Sequence, residues 1–216
     1  MQALHDFQTH SLDEMQRRLN SIGPERLKTR TRKAAVLIPL MLNAQNEPSF
    51  LFTKRSEEVG SHKGQVSFPG GMQDPEDLEN DQSTALRETF EEIGIAPQNV
   101  RVLGTFHEMP AINSIRVTAI AGFLGRVDEA SLVVQASEIS EVFSLSLKQL
   151  LDPKLRFLYE YERNGKRGQF PVFTAGPHPV WGLTAIILRR FMIEVMKVEL
   201  LPALGTKSDS FLGSER

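Results

Sequence analysis

Apolar residues recur with helical spacing near both ends of the chain. A first helix is predicted to begin at a capping box of Ser11 and Glu14 and to end at the Gly-Pro pair of residues 23–24. Its apolar face carries Leu12, Met15, Leu19 and Ile22. The segment 179–200 predicts a long last helix, in which Trp181 is expected in the core and not at a ligand.

A shorter helix is predicted in the middle of the chain, from about Ser83 to Ile93. Its apolar stripe consists of Leu86, Phe90 and Ile93, at spacings of four and three residues. Gly94 follows where a left-handed residue commonly ends a helix. The helix is expected to pack against the core through this stripe and to expose its opposite face to solvent.

The remaining periodic segments have the alternation and length of strands. The run AAVLIPLML (34–42) is followed by the turn NAQNEP and by SFLFTKR (49–55), its expected antiparallel partner. GQVSFPGG (64–71) predicts a strand that two glycines end. Further strands are predicted in segments 100–110, 115–125 and 142–147, a short helix in 146–152, and a hairpin in 156–173 around Asn164-Gly165. Strands and helices in mixed order indicate a single α+β domain.

Composition removes several classes of function. A net charge of −2 and a pI near 6.2 give no electrostatic footprint for nucleic acid. The longest apolar runs are less than half of the roughly 20 residues that span a bilayer, so no membrane segment is expected. The absence of cysteine excludes disulfides and thiolate metal sites.

The ends of the chain suggest an intracellular protein. The C-terminal segment does not end in the peroxisomal tripeptide, and segment 201–216 is predicted to be a loose polar tail. Residues 1–33 mix seven basic with four acidic side chains and lack the apolar core of a secretory signal. The cytoplasm and the mitochondrion therefore stay open as alternatives.

Three glutamates crowd the last turns of the middle helix. At about 100° per residue, Glu88, Glu91 and Glu92 project away from the predicted stripe and toward one another. Like charges at these spacings cost about 0.2–0.5 kcal/mol per pair, and negative charge in the last turn also opposes the helix dipole. A solvated acidic face and a metal site explain the cluster about equally well on spacing alone.

Taken with its surroundings, this helix resembles the Nudix box, G-x5-E-x7-R-E-U-x-E-E-x-G-U, where U is aliphatic. Gly71 and the run from Arg87 to Ile95 carry the resemblance. The loop is longer than the pattern, because fifteen residues separate Gly71 from Arg87 where the pattern has thirteen. Asp77 takes the place of the early glutamate, with Glu76 and Glu79 as rivals, and Thr89 occupies the aliphatic position.

A second resemblance lies just upstream of the box. LFTKRSEEVGSHKGQVSFPGG (51–71) is similar to the signature of coenzyme A diphosphatases, L-L-T-x-R-[SA]-x3-R-x3-G-x3-F-P-G-G. Phe52 replaces a leucine, and Gly60 replaces the second arginine, so one cation of the signature is missing. The resemblance extends over roughly residues 33 to 190.

The resemblance implies the Nudix fold, an α/β/α sandwich with a mixed β-sheet and a catalytic strand-loop-helix unit. The first helix predicted above and its basic lead-in occupy residues 1–32, and the resemblance implies a Nudix hydrolase domain over 33–200. It also implies a divalent cation, Mg²⁺ or Mn²⁺, held by oxygen ligands. The expected ligands are Glu88, Glu92, Glu91 and the carbonyl of Gly71. The expected catalytic residues are Glu88, Glu91, Arg87 and Glu138, with Arg87 orienting carboxylates and either Glu88 or Glu138 as general base.

The substrate implied by the signature is coenzyme A or an acyl derivative, cleaved to 3′,5′-adenosine bisphosphate and 4′-phosphopantetheine. The expected substrate-binding residues are Arg55, Lys54, His62, Lys63 and Gly70. A Nudix hydrolase for another nucleoside diphosphate derivative, such as NADH or ADP-ribose, is the second hypothesis, and a non-catalytic binding module is the third. The expected partner is thus a small nucleotide-type molecule, with no nucleic acid and no membrane, and a homodimer is left open.

Overall fold

The sheet at the centre of the molecule is mixed, as the order of the predicted elements indicated. A computed structural model describes residues 7–27, 32–58, 62–77, 80–111, 114–163, 165–200 and 206–208. Among these residues, seven strands form the main sheet: β1 (Arg32–Leu42), β2 (Pro48–Arg55), β3 (Val66–Ser67), β4 (Gly70–Met72), β5 (Arg101–Pro110), β6 (Ile115–Arg126) and β7 (Ile139–Ser146).

Strand β1 lies inside the sheet and pairs with neighbours of both directions. It runs parallel to β6 and antiparallel to β2 and β4, so the predicted antiparallel partner of β1 is confirmed. Strand β5 pairs with β6, while β3 and β7 pair with β2, all antiparallel. A second sheet contains the predicted hairpin, β8 (Arg156–Arg163) and β9 (Lys166–Phe173), together with β10 (Thr206–Ser208). Strand β10 is parallel to β8 and lies within the segment predicted as a loose tail.

Helices cover both faces of the main sheet, which gives the expected α/β/α sandwich. The helices are α1 (Thr9–Ile22), α2 (Asp81–Ile93), α3 (Leu147–Leu151) and α4 (Gly182–Glu194). Alternate side chains of β2 serve the two layers: Phe50 and Phe52 pack in the core shared with α1 and α4, while Leu51 packs in the core shared with α2. No helix of the described residues is both long and apolar enough to cross a membrane.

Helix α1 and the residues after it are integrated into this sandwich. Leu12, Met15 and Leu19 are buried as predicted, but Ile22 is exposed. The capping box is wrong, because the helix begins at Thr9 and the backbone N–H of Leu12 already donates to the Gln8 carbonyl. Glu14 instead forms ion pairs with two arginines of the same helix, Arg17 and Arg18.

The last helix is shorter than the periodicity suggested. Helix α4 begins only at Gly182 and ends at Glu194, so Val180 and Val195 lie outside it although both are buried. Arg18 donates to the carbonyl of Val195 and so ties α1 to the end of α4. Trp181 precedes the helix and is partly buried, and it packs against the small core of Phe157, Tyr159 and Val172 at the second sheet.

Helix α2 is rotated relative to the predicted stripe. Ala85, Thr89 and Ile93 form its buried face, whereas Phe90 is 51 % exposed. Ala85 and Thr89 are small, which lets the helix lie close to β1 and β4. The Thr89 hydroxyl donates to the Ala85 carbonyl at 2.6 Å, so a polar residue at the aliphatic position of the pattern leaves no unsatisfied group in the core.

This rotation can be tested with two matched truncations. Ile93→Ala removes a fully buried side chain and should lower the free energy of unfolding by about 2–5 kcal/mol. Phe90→Ala removes an exposed ring and should change it by less than about 0.5 kcal/mol. Urea unfolding followed by circular dichroism measures both. If Phe90→Ala lowered the free energy of unfolding as much as Ile93→Ala does, the apolar stripe predicted from the sequence would be the buried face after all.

Candidate active site

The site forms where helix α2 meets the turn between β3 and β4. Gly70 has φ +152°, and a Cβ there would overlap the Ala35 carbonyl of β1. A Cβ on Gly71 would overlap the carboxyl group of Glu88. The two glycines therefore let the backbone come within contact of β1 on one side and of the helix carboxylates on the other.

Glu92 lies inside the protein and not on a solvated face. Its side chain is 1 % exposed, because the rotation of α2 places it beside the buried Thr89 and Ile93. One carboxylate oxygen accepts the Gly70 N–H at 3.2 Å, and the other lies 3.6 Å from Nη1 of Arg55. Burial raises the pKa of Glu92 to about 8, although these two contacts favour the ionised form. The prediction that all three glutamates point away from the core is thus wrong for Glu92.

Glu88 and Glu91 differ from Glu92 and from each other in exposure. The Glu88 side chain is 15 % exposed, and burial raises the pKa of its carboxyl while the charge of Arg87 opposes that change. The Glu91 side chain is 51 % exposed and accepts from Nη1 of Arg87 at 2.7 Å. One helical face therefore presents three carboxylates in three different environments.

Arg87 is the centre of the polar contacts around the box. Its Nε and Nη2 donate to the two oxygens of Asp77 at 2.9 and 3.1 Å, and Nη2 also reaches the Met72 carbonyl at 3.1 Å. The same Nη2 lies 3.0 Å from Glu88. Arg87 thus contacts the carboxylates of Asp77 and Glu88, and its role in orienting carboxylates stays a prediction.

Asp77 occupies the position of the early glutamate in the lengthened loop. It is buried, accepts hydrogen bonds from the Thr84 hydroxyl and the Asp74 N–H, and faces Arg87. The Arg87 hydrogen bonds lower its pKa from the usual 3.8 to about 2. Glu76 is exposed, and Glu79 lies outside the described residues. The geometry therefore selects Asp77 over Glu76.

Glu138 is held beside the carboxylates by its backbone. Ser56 N–H donates to the Glu138 carbonyl at 2.7 Å, and Glu138 N–H donates to Gln135, whose own N–H reaches the Glu92 carbonyl. The side chain is exposed, and its charge acts on both Glu88 and Glu92. The loop between β6 and β7 thus adds a fourth acid to the site, which the sequence indicated only through the family resemblance.

The expected substrate-binding residues divide between two faces of β2. Arg55 is directed at Glu92, and its buried Nε has no hydrogen-bond partner among the described residues. Lys54, His62 and Lys63 line a cleft that also includes His178 and Trp181. The last two were not predicted as site residues, and no spacing in the sequence connects them to the box. Gly60 lies outside the described residues.

The donor set fits a small divalent cation. No three Asp, Glu or His side chains among the described residues converge closely enough to hold a metal ion without other ligands. Mg²⁺, however, is commonly held by one or two carboxylates together with waters and substrate phosphates. Glu88 and Glu92 supply such a pair, and in the part of the chain that the structure describes the cation paired with the buried Glu92 carboxylate is Arg55, at 3.6 Å. Glu91 is engaged by Arg87.

A strand-loop-helix hydrolase site of this kind defines the Nudix family, and the chain belongs to it. Residues 31–163 match the family described as the NUDIX domain. The chain is 41 % identical over 173 residues to mitochondrial coenzyme A diphosphatase NUDT8 of Homo sapiens. This alignment covers 79 % of this chain and 72 % of that protein. It is 35 % identical to the uncharacterized Nudix hydrolase NudL of Photorhabdus laumondii, covering 80 % and 89 % of the two chains. A solved NUDIX hydrolase from Nitrosomonas europaea is 15 % identical with a TM-score of 0.49, covering 85 % and 82 %.

The contact between Arg87 and Asp77 predicts a specific dependence of stability on pH. Because the folded pKa of Asp77 lies below its unfolded value, the contact stabilises the fold above about pH 4 and this contribution is lost as the pH falls toward 2. The pH-dependent part amounts to about 2 kcal/mol at pH 5 and to about half of that at pH 3. Asp77→Asn removes it, so the difference in unfolding free energy between wild type and variant should shrink over this range. A difference that stays constant from pH 5 to pH 3 would mean that the carboxylate is not stabilised by Arg87.

Proposed function

We propose that this protein is a metal-dependent coenzyme A diphosphatase. It cleaves the diphosphate bond of coenzyme A or of its acyl derivatives, giving 3′,5′-adenosine bisphosphate and 4′-phosphopantetheine or acyl-phosphopantetheine. Family membership supports the hydrolase chemistry. The names of the relatives from Homo sapiens and Mus musculus, both coenzyme A diphosphatases at 41 % and 40 % identity, support the substrate.

The contact between Arg55 and Glu92 is the observation on which the proposal rests. Arg55 belongs to the coenzyme A signature and Glu92 to the hydrolytic box, and their side chains approach to 3.6 Å. The Nε of Arg55 is buried without a partner among the described residues, so this guanidinium has a donor to offer to a phosphate oxygen. The segment that resembles the coenzyme A signature and the Nudix box thus meet at one point, which supports the proposal.

The roles of the acidic residues follow from their environments. Glu88 and Glu92 would hold Mg²⁺ or Mn²⁺, with the Gly71 carbonyl beside them. Bound there, the cation would offset the charge of the diphosphate and make a water ligand more acidic. Arg87 orients Glu88 and Glu91. Glu88, in a buried setting, and Glu138, at the rim of the site, are the two candidates for the general base that accepts the proton of the attacking water.

Gly60 is the reason to retain a second class of substrate as an alternative. The signature has an arginine at this position, and its loss removes one cation that a coenzyme A diphosphatase would offer. A Nudix hydrolase for NADH or ADP-ribose is therefore the alternative. The presence of Arg87, Glu88, Glu91 and Glu92 speaks against a non-catalytic module, since a binding protein has no need of this carboxylate cluster. Of the two compartments left open by the sequence, the mitochondrial relatives favour the mitochondrion.

Product analysis separates these functions. The protein is incubated with coenzyme A, an acyl-coenzyme A, NADH or ADP-ribose, first with Mg²⁺ and then with Mn²⁺, and the products are resolved by chromatography. We expect 3′,5′-adenosine bisphosphate from the first two substrates at rates well above the others. Preferred cleavage of NADH or ADP-ribose would assign the second substrate class, and no hydrolysis of any substrate would indicate a binding module.

The role of Glu92 is tested by Glu92→Gln. The substitution keeps the size of the side chain and removes the charge, so the variant should fold while metal-dependent turnover falls by at least about a hundredfold. Glu76→Gln makes the same change at an exposed position of the preceding loop and should leave turnover unchanged. Circular dichroism confirms the fold of both variants. Turnover by the Glu92 variant at the level of the Glu76 variant would remove Glu92 from the mechanism.

A further inference from the structure

A cleft of about 600 Å³ lies at the C-terminal end of β2, where Lys54 lines it. Lys54 and Arg55 are consecutive on β2, so their side chains leave opposite faces of the strand. Arg55 approaches Glu92, whereas Lys54 lines the cleft together with Val66 of β3, which pairs with Lys54 close to the C-terminal end of β2. A long ligand that passes around this end of β2 would therefore extend from the acidic helix into the cleft.

The polar groups of the cleft suit an anion. Its described lining includes two ammonium groups and two imidazoles, from Lys54, Lys63, His62 and His178, against one carboxylate, Glu57. Both imidazoles are held in place: Nδ1 of His62 lies 2.9 Å from the Gln65 side-chain oxygen, and Nε2 of His178 lies 2.7 Å from Glu141. The His178 ring also packs edge-on against Phe143, which fixes its orientation further.

Trp181 adds an aromatic wall to this cationic cleft. The centroid of its ring lies 6.2 Å from that of the Phe170 ring. The Phe170 centroid in turn lies 5.1 Å from that of Tyr159 and 5.8 Å from that of Tyr161. The β8–β9 hairpin thus supports one side of the indole, while the partly buried ring also borders the cleft. An aromatic ring that is supported in this way beside cations is a stacking platform for a nucleobase.

We propose that this cleft binds the nucleoside end of the substrate, with the base stacked on Trp181 and a phosphate monoester of the ribose held by Lys54, Lys63 and His178. The inference rests on the proposed function, since it takes coenzyme A as the ligand. A pantetheine arm offers neither a planar base nor an anion for these groups. Lys63 and His178 also supply hydrogen-bond donors to this cleft, and the chain lacks the second arginine of the signature, which is Gly60 here.

Trp181 is the only tryptophan of the chain, so its fluorescence reports on this cleft alone. The protein is titrated with 3′,5′-adenosine bisphosphate, 5′-AMP and 4′-phosphopantetheine, none of which contains the bond to be cleaved. We expect the bisphosphate to quench the emission at a concentration about tenfold lower than 5′-AMP does, because hydrogen bonds to charged groups are worth about that factor or more. Phosphopantetheine should cause no quenching. An equal response to both nucleotides, no response to either, or a stronger response to phosphopantetheine overturns the proposal.

Charge variants test the phosphate contacts in the same assay. Lys63→Gln and His178→Gln should each reduce the preference for the bisphosphate over 5′-AMP by about tenfold. Arg17→Gln serves as the matched control, because Arg17 is an exposed cation of α1 that pairs with Glu14 and does not line the cleft. If both cleft variants keep the wild-type preference, the phosphate is bound elsewhere and the proposal fails.

Stacking is tested by the size and aromaticity of residue 181. Trp181→Leu should raise the KM for coenzyme A about tenfold with little change in kcat, whereas Trp181→Phe should retain most of the affinity. Hydrolysis of coenzyme A without any fluorescence response to the bisphosphate would contradict this inference and leave the proposed function intact. Fluorescence binding without hydrolysis would support the cleft and contradict the proposed function.

Discussion

Helix α2 and strand β1 lie so close to the Gly70-Gly71 turn that a single methyl group on either glycine would overlap a neighbouring atom. This contact determines where the carboxylates of the box lie. It places Glu88 against Gly71 and lets Glu92 accept the Gly70 N–H inside the protein. The small Ala85 and Thr89 on the buried face of α2 make the approach possible from the side of the helix. The site is thus a consequence of close backbone packing.

Arg87 contacts three of the acidic residues, Asp77, Glu88 and Glu91, whereas Glu92 lies near Arg55. It pairs with Asp77, which secures the long loop, and with Glu91 at the surface, while Glu88 is shared between Arg87 and the space beside the glycine turn. Among the described residues, Glu92 has one hydrogen bond, from the Gly70 N–H, and one cation within 4 Å, Arg55 at 3.6 Å. These two contacts do not offset its burial, which raises its pKa. A divalent cation beside Glu88 and Glu92 would supply that compensation, which explains why a cluster that costs stability by itself suits this position.

The sequence predicted six of the seven strands of the main sheet and the membership of the box, because alternation and fixed spacing are local properties of the chain. It did not predict β4, because Gly70 and Gly71, which were expected to end a strand, pair with β1. It did not predict the orientation of α2, because the helix buries the small Ala85 and the polar Thr89 in place of the large Phe90. The surroundings of Trp181 could also not be predicted from the sequence. They depend on Phe170 of a separate sheet and on the cleft beside β3, which are contacts between distant parts of the chain.

The central claim is that α2 and the glycine turn together form the cation site. Crystals of the protein soaked with Mn²⁺ and 3′,5′-adenosine bisphosphate would locate the cation by its anomalous scattering. The account predicts a peak at coordination distance from carboxylate oxygens of both Glu88 and Glu92, next to Gly71. A peak bound by the exposed Glu91 and Asp74, with Glu92 still buried and without a metal contact, would contradict it.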